Sequence, residues 1–304
     1  MFVDVVGLVN LETSVPIGSF PIGYQPVDYR FFEINTQVSG VAFNVASALK
    51  VLGAKPTLLS LYAQDLYAAA ILQALRERQI EHELVAKLQG NVQTVVLYDD
   101  AGSRRICLDL KDVQDHDYPL DRVVAHHQGT TRKPDLAVVC NTNLARGLLN
   151  HYRQENITVA SDVHALADCR DDFNQDFISG ADILFLSNEY FVGQEVEFIN
   201  ELKEISPAHL IVVGCGSKGA LLYERKTHEY TFIPALQNVA VRNTVGAGDA
   251  LFSAFNYFYF TTRNARKALR LANIFAAHKI TISGGSKGFL SAGQVLNYDQ
   301  PTTQ

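Results

Sequence analysis

Cysteine is scarce: four in 304 residues, Cys107, Cys140, Cys169 and Cys215, with no two closer than 29 positions (169 minus 140). That spacing excludes a CxxC zinc or redox site. Three of the four lie in or beside apolar stretches, where cysteine acts as a small hydrophobe. Positive charge is in deficit as well. A net charge of -6 and a pI near 5.8 leave no basic footprint, which excludes nucleic acid as a partner class. No basic residue precedes Arg30, so a secretory n-region is missing. No run of 18 apolar residues offers a membrane span. These absences point to a cytoplasmic chain that works on small molecules.

What is present is ample core material, 47% hydrophobic against 19% charged, which argues for an ordered globular fold. At about 150 residues per domain the length allows two domains, and it equally suits one large α/β domain with a small appendage. The pattern favours the second. Apolar runs at 2–9, 56–61, 135–140, 157–162, 182–187 and 209–214 read as buried strands. Between them fall helical stretches at 41–52, closed by Gly53, and at about 66–79, and a last long helix is expected near 264–280. Such alternation implies a doubly wound, mostly parallel sheet flanked by helices. Two segments break it. Residues 94–98 and 103–110 flank Asp-Asp-Ala-Gly and read as a hairpin. Residues 19–38, rich in Tyr, Phe and Pro, read as extended β structure outside the main sheet. Together they form either a small lid sheet, spanning about 11–38 and 92–112, or two unrelated surface excursions.

The sharpest local feature is Asn243-Thr244-Val245-Gly246-Ala247-Gly248-Asp249, leading into an apolar helical run. Small residues let a ligand approach the backbone, and free N–H groups at a helix start attract anions. Under a transferring phosphoryl group such donors hold developing charge, and Asp249 could take a proton from an acceptor hydroxyl. The same residues also suit a plain glycine turn with Asp249 as N-cap. Ser39-Gly40-Val41-Ala42-Phe43-Asn44 is a second small-residue entry to a helix. Asn44, polar on an apolar face, either meets a polyhydroxylated substrate or ties down a neighbouring loop.

With these two motifs the chain resembles the ribokinase-like (PfkB) carbohydrate and nucleoside kinases. N-T-V-G-A-G-D is similar to that family's D-T-x-G-A-G-D, and S-G-V-A-F-N-V-A to its G-G-x-x-x-N-x-A; the motifs run in family order over nearly the whole chain. The resemblance implies one domain over 1–304 with a β lid, which in some members pairs subunits, so a homodimer through the lid is allowed. It implies ATP and Mg²⁺ as cofactors and a sugar or nucleoside as substrate. Asp249 matches the catalytic base, and Gly246, Ala247 and Gly248 the anion hole. Asn10, Glu12, Gly40 and Asn44 match substrate contacts. Asn188, Gly216, Ser217, Gly219, Thr244 and Asn273 match the nucleotide side. No dedicated metal ligand is assigned.

Departures bear on function. Asn243 and Ser39 stand where Asp and Gly are usual, and Phe191 stands where N-x-x-E requires Glu, with Glu189 at the wrong spacing. They leave the handling of Mg²⁺ and of a monovalent cation, known in some members, open, and they keep a non-catalytic sugar or nucleotide sensor as the rival reading. Two decoys fail. G-x-G-x-x-G at 214–219 is followed by a hairpin-like stretch, with no helix and no acid near the expected spacing. G-x-S-x-G at 284–288 has no histidine after it to complete a hydrolase triad. A P-loop pattern is absent. His126-His127 reads as surface or satisfied histidine. Asp162 and His164, closing a strand on the cleft side, are conceivable substrate contacts.

Overall fold

A computed structural model describes residues 1–99, 103–130, 132–282 and 284–299. In chain order the elements are β1 (Phe2–Val6), β2 (Asn10–Pro16), β3 (Asn35–Ser39), α1 (Val41–Leu52), β4 (Lys55–Tyr62), α2 (Ala68–Glu77), β5 (Glu81–Ala86), β6 (Val92–Tyr98) and β7 (Arg104–Asp109). Then come α3 (Leu120–Gly129), β8 (Leu136–Val139), α4 (Asn143–Arg146), α5 (Leu148–Gln154), β9 (Thr158–Ala165), α6 (Gln175–Gly180), β10 (Ile183–Ser187), α7 (Glu195–Ile205) and β11 (Leu210–Gly214). The chain closes with β12 (Gly219–Glu224), β13 (Glu229–Pro234), α8 (Ala247–Thr262), α9 (Ala265–Lys279) and α10 (Ala292–Tyr298).

The large sheet has the order β13-β12-β11-β10-β9-β8-β1-β4-β5, parallel from β11 to β5, with β12 and β13 antiparallel at one edge. Strand pleat sorts its side chains between two cores. On β8, Leu136 and Val138 join the core beneath α1, α8 and α9, while Ala137 and Val139 join the opposite one with α5, α6 and α7. Both faces are covered by helices, which is why these strands read as continuous apolar runs. Among the described residues no helix is long and apolar enough to cross a membrane.

A second sheet, β3-β2-β6-β7, stands beside the first, with β2 and β6 parallel and both outer pairs antiparallel. The expected hairpin is β6–β7; residues 100–102 of its turn lie outside the described residues. The expected strand over 2–9 ends at Val6, because the chain leaves the large sheet there and starts the small one at Asn10. The expectation for 19–38 is corrected further: only Asn35–Ser39 pairs, and 17–34 contains no strand. Its hydrophobic side chains face outward instead, with Tyr24 92%, Tyr29 78% and Phe32 103% exposed. Aromatic content mimicked strand propensity where no neighbouring strand was available to pair.

Candidate active site

A cleft of about 860 Å³ opens at the carboxyl ends of β9, β10 and β11, the place where open α/β sheets take ligands. Its walls include Asn188, Gly216, Ser217, Gly219, Thr244, Gly246, Ala247, Gly248, Asp249 and Asn273. All ten residues assigned to the catalytic and nucleotide sets therefore share one cleft. The stretch 235–239 after β13 comes to it without a sequence signal. Arg104 comes from β7, where the pair Arg104-Arg105 reads in sequence either as a contact for an anionic substrate or as a solvated strand face. Asp162 and His164, weighed lightly above, also line it.

The glycine turn is built by necessity. Gly246 caps α8 at φ 78°, and a Cβ there would stand 2.6 Å from the carbonyl oxygen of Gly285. Only glycine meets both demands cheaply. Of the three amides assigned to the anion hole, that of Ala247 donates to the Thr244 carbonyl at 3.1 Å. Those of Gly246 and Gly248 have no intramolecular partner among the described residues. The expectation of three free donors is thus reduced to two. Asn243 accepts from the Val245 amide at 2.8 Å, closing the turn with a neutral side chain.

Asp249 keeps a window onto the cleft while protein packs densely around it. Burial pushes its carboxyl up, to about 6, against the pull of the Asn44 amide, whose Nδ2 donates to Oδ2 at 2.8 Å. His164 and Lys279 also lower it, and Asp162 raises it. A base poised near neutrality is what proton abstraction requires.

Asn10, Glu12, Gly40 and Asn44 are not on the cleft surface; they are buried and form the ground behind Asp249. Ser39 Oγ donates to Glu12 Oε2 at 3.0 Å and to Asn44 Oδ1 at 3.4 Å, and Gln37 Nε2 donates to Glu12 Oε1 at 3.1 Å. Asn10 donates to Thr94 Oγ1 at 2.6 Å, while its own amide oxygen is buried without a partner among the described residues. Gly40, at φ 106°, lets α1 begin against the Leu8 carbonyl, which a Cβ would approach to 2.5 Å. Of the two readings of Asn44, the tie is the one seen: its amide holds Asp249 at the start of α8.

At the other end Asn188 Nδ2 donates to Glu195 Oε1 at 2.6 Å, and the Gly193 amide donates to the same oxygen at 2.9 Å. Position 191 carries no carboxylate, and the Glu195 carboxylate, at the first residue of α7, is held against Asn188 instead. Phe191 is buried and stacks on Phe198. Asn273 spends its amide nitrogen on the carbonyls of Ile233 and Pro234. Gly219 sits where a Cβ would come within 2.1 Å of the Ile233 carbonyl. On the far wall, Arg104 reaches from the small sheet to Thr244 Oγ1 at 2.7 Å. Among the described residues no group of three His, Cys, Asp or Glu could hold a metal ion by itself.

With fold and site in view, the chain belongs to the pfkB family of carbohydrate kinases, whose family model matches residues 2–291. It is similar to deoxyribokinases of Salmonella typhi and Salmonella typhimurium, 34% identical over 88 residues, which is 29% of this chain and 28% of theirs. The chain thus matches less than a third of the length of those relatives. Against acarbose 7(IV)-phosphotransferase of an Actinoplanes species it is 21% identical over 96% of both chains. A solved microbiome-derived acarbose kinase superposes with a TM-score of 0.87 at 21% identity over 97% of each chain, a likeness of fold.

Proposed function

We propose that the protein is an ATP-dependent kinase that transfers the γ-phosphoryl group to a hydroxyl of a small sugar-like substrate. The observation that carries this reading is Asp249: its carboxyl sits at the start of α8, titrates near neutrality and adjoins the unpaired amides of Gly246 and Gly248 in one cleft. In the reaction the acceptor oxygen bonds to the γ-phosphorus while the bond to the β,γ-bridging oxygen breaks. Asp249 takes the hydroxyl proton, and ADP leaves. The two free amides hold charge on the phosphoryl oxygens.

The acceptor would meet the polar ground of Asn10, Glu12, Gly40 and Asn44. The buried unpartnered oxygen of Asn10 suits a hydroxyl donor once the ground relaxes around a ligand. The nucleotide would lie along Asn188, Gly216, Ser217, Gly219, Thr244 and Asn273. Mg²⁺ on nucleotide phosphates needs only one or two protein oxygens. Asn188 and Glu189 lie on the cleft wall, with Asp162 and Asp249 among its other oxygen donors, so the residues present fit such an ion. The ion supplies neutralisation of phosphate charge; the chain supplies orientation. Arg104 on β7 supports a lid role for the small sheet. The exposed aromatics of 17–34, and Ile106 and Leu108 exposed on β7 at the other edge, support pairing of two copies through it. A cytoplasmic location is part of the same proposal.

Initial rates of ADP release with ATP, Mg²⁺ and a panel of sugars, oligosaccharides and nucleosides test the activity. Asp249→Asn is expected to lower kcat by roughly 10²–10⁴ with little change in KM for ATP. Thermal shifts across the panel without ADP release would instead favour the sensor.

A further inference from the structure

The G-x-S-x-G stretch at 284–288, which completes no hydrolase triad, has a definite place in the fold. Gly284, Gly285 and Ser286 are buried. A Cβ on Gly284 would stand 2.6 Å from Gln37 Oε1, and one on Gly285 would stand 2.8 Å from Asn44 Nδ2 and 3.1 Å from Ser39 Oγ. The Gly285 carbonyl oxygen is in turn the atom that a Cβ on Gly246 would meet. One backbone segment therefore touches the polar network on one side and the glycine turn on the other. It is the spacer between the first turns of α1 and α8, which carry Asn44 and Asp249.

A segment so rich in glycine has little stiffness of its own, and its buried backbone groups need partners. Ser286 finds both of its partners in one side chain, that of Arg78, the residue that follows α2. Arg78 Nη1 donates to the Ser286 carbonyl at 2.7 Å and Nη2 to Ser286 Oγ at 3.0 Å, across 208 positions of chain. The guanidinium carbon lies 5.0 Å from the centroid of the Phe43 ring, which is fully buried and precedes Asn44 on α1. Among the described residues no carboxylate pairs with Arg78. Its fork is spent on the loop instead. A planar guanidinium can stack on a ring and bond two acceptors at once, which an ammonium cannot reproduce.

We propose that Arg78 is a positioning residue for phosphoryl transfer: by clamping Ser286 it holds the Gly285 carbonyl against Gly246 and so seats the anion-binding turn beside Asp249. Neither Arg78 nor residues 284–288 line the cleft. The effect travels through packed backbone, with no contact between the guanidinium and a ligand.

This role rests on Gly246 and Asp249 as the phosphoryl-transfer site, and the two are tested apart. kcat/KM and the affinity for a non-hydrolysable ATP analogue are measured for Arg78→Met, Arg78→Lys and Arg78→Ala, and for Arg78→Met combined with Gly246→Ala. Arg78→Met keeps an apolar stem on Phe43 and should lower kcat/KM by roughly 10–100-fold, the range expected when a distant change misplaces the reacting groups. Analogue affinity should weaken with it. Arg78→Lys should fall between Arg78→Met and the wild type, and methylguanidinium should restore part of the activity of Arg78→Ala. In the Gly246→Ala background Arg78→Met should cost less than about twofold more, because the turn is already displaced. A full multiplicative loss in that background would overturn the proposal. So would a lowered Tm with kcat/KM and analogue affinity unchanged. If neither the Met nor the Ala variant folds, Ser286→Ala decides: losing the hydroxyl acceptor should lower kcat/KM a few-fold, and a wild-type value would overturn the proposal. A fully active Asp249→Asn would instead overturn the functional reading, while analogue affinities would still judge Arg78.

Discussion

The two ends of the cleft are made of different materials. At the phosphate end the work falls to backbone: glycines at 216, 219, 246 and 248, two unpaired amides and a helix start. At the proposed acceptor end, behind the cleft wall, it falls to side chains, a buried polar network of Asn10, Glu12, Gln37, Ser39 and Asn44. Backbone donors do not titrate, whereas the Asp249 carboxyl that this network holds through Asn44 is pushed up to about 6. The phosphate end should therefore respond to shape and the acceptor end to protons.

The largest break is expected from Gly246→Ala. A left-handed φ with a Cβ costs about 1–3 kcal/mol, and the clash with the Gly285 carbonyl must be relieved by moving the turn. kcat/KM should fall by roughly 10²-fold or more, equally at all pH values, because a displaced anion-hole donor costs about that. Weaker binding of a non-hydrolysable ATP analogue by calorimetry checks that the loss lies at the phosphate end.

Asn44→Ala should act on the other side of the comparison. Losing the donor to Asp249 Oδ2 raises that carboxyl further, so the fall in kcat should reach about tenfold near pH 6 and shrink above pH 8. A pH-independent loss would reduce Asn44 to a packing role.

The smallest effect is one of stability. The Asp249 carboxyl titrates higher when folded, about 6, than its ordinary 3.8. Its stabilising contribution is therefore complete below about 3.8 and lost as pH rises through 6. Asp249→Asn should accordingly raise Tm by a few degrees at pH 8, an effect on the order of 1–3 kcal/mol, and leave it unchanged near pH 4. A variant less stable at pH 8 would contradict the strain assigned to this group.

The same division explains what could be read from the sequence. Phosphate-end geometry is local, and local signals carried it: Gly53 caps α1 at φ 102°, α9 runs 265–279 against an expected 264–280, and the glycine turn opens α8 as its composition required. Other contacts of the cleft depend on how the chain folds back rather than on local pattern. Nothing in residues 188–195 announces that Glu195 turns back to Asn188, because the reversal depends on Gly193 at φ 84°. Arg104 reaches Thr244 across 140 positions of chain, a contact that exists only once the small sheet stands beside the cleft. Segment 17–34 misled for the opposite reason, since its composition suits a strand and the topology offers it none.

The pairing of β2 with β6 has a consequence in time. These two strands lie parallel, yet β3, α1, β4, α2 and β5 intervene between them in the chain. The small sheet can close only after that intervening unit has folded back on β1, an ordering with an entropic toll set by long-range contacts. That closure brings Glu12 and Thr94 into register. All the strands of the small sheet lie before residue 110 and the glycine turn begins at 243, so a nascent chain holds the residues of its small sheet before its glycine turn is made.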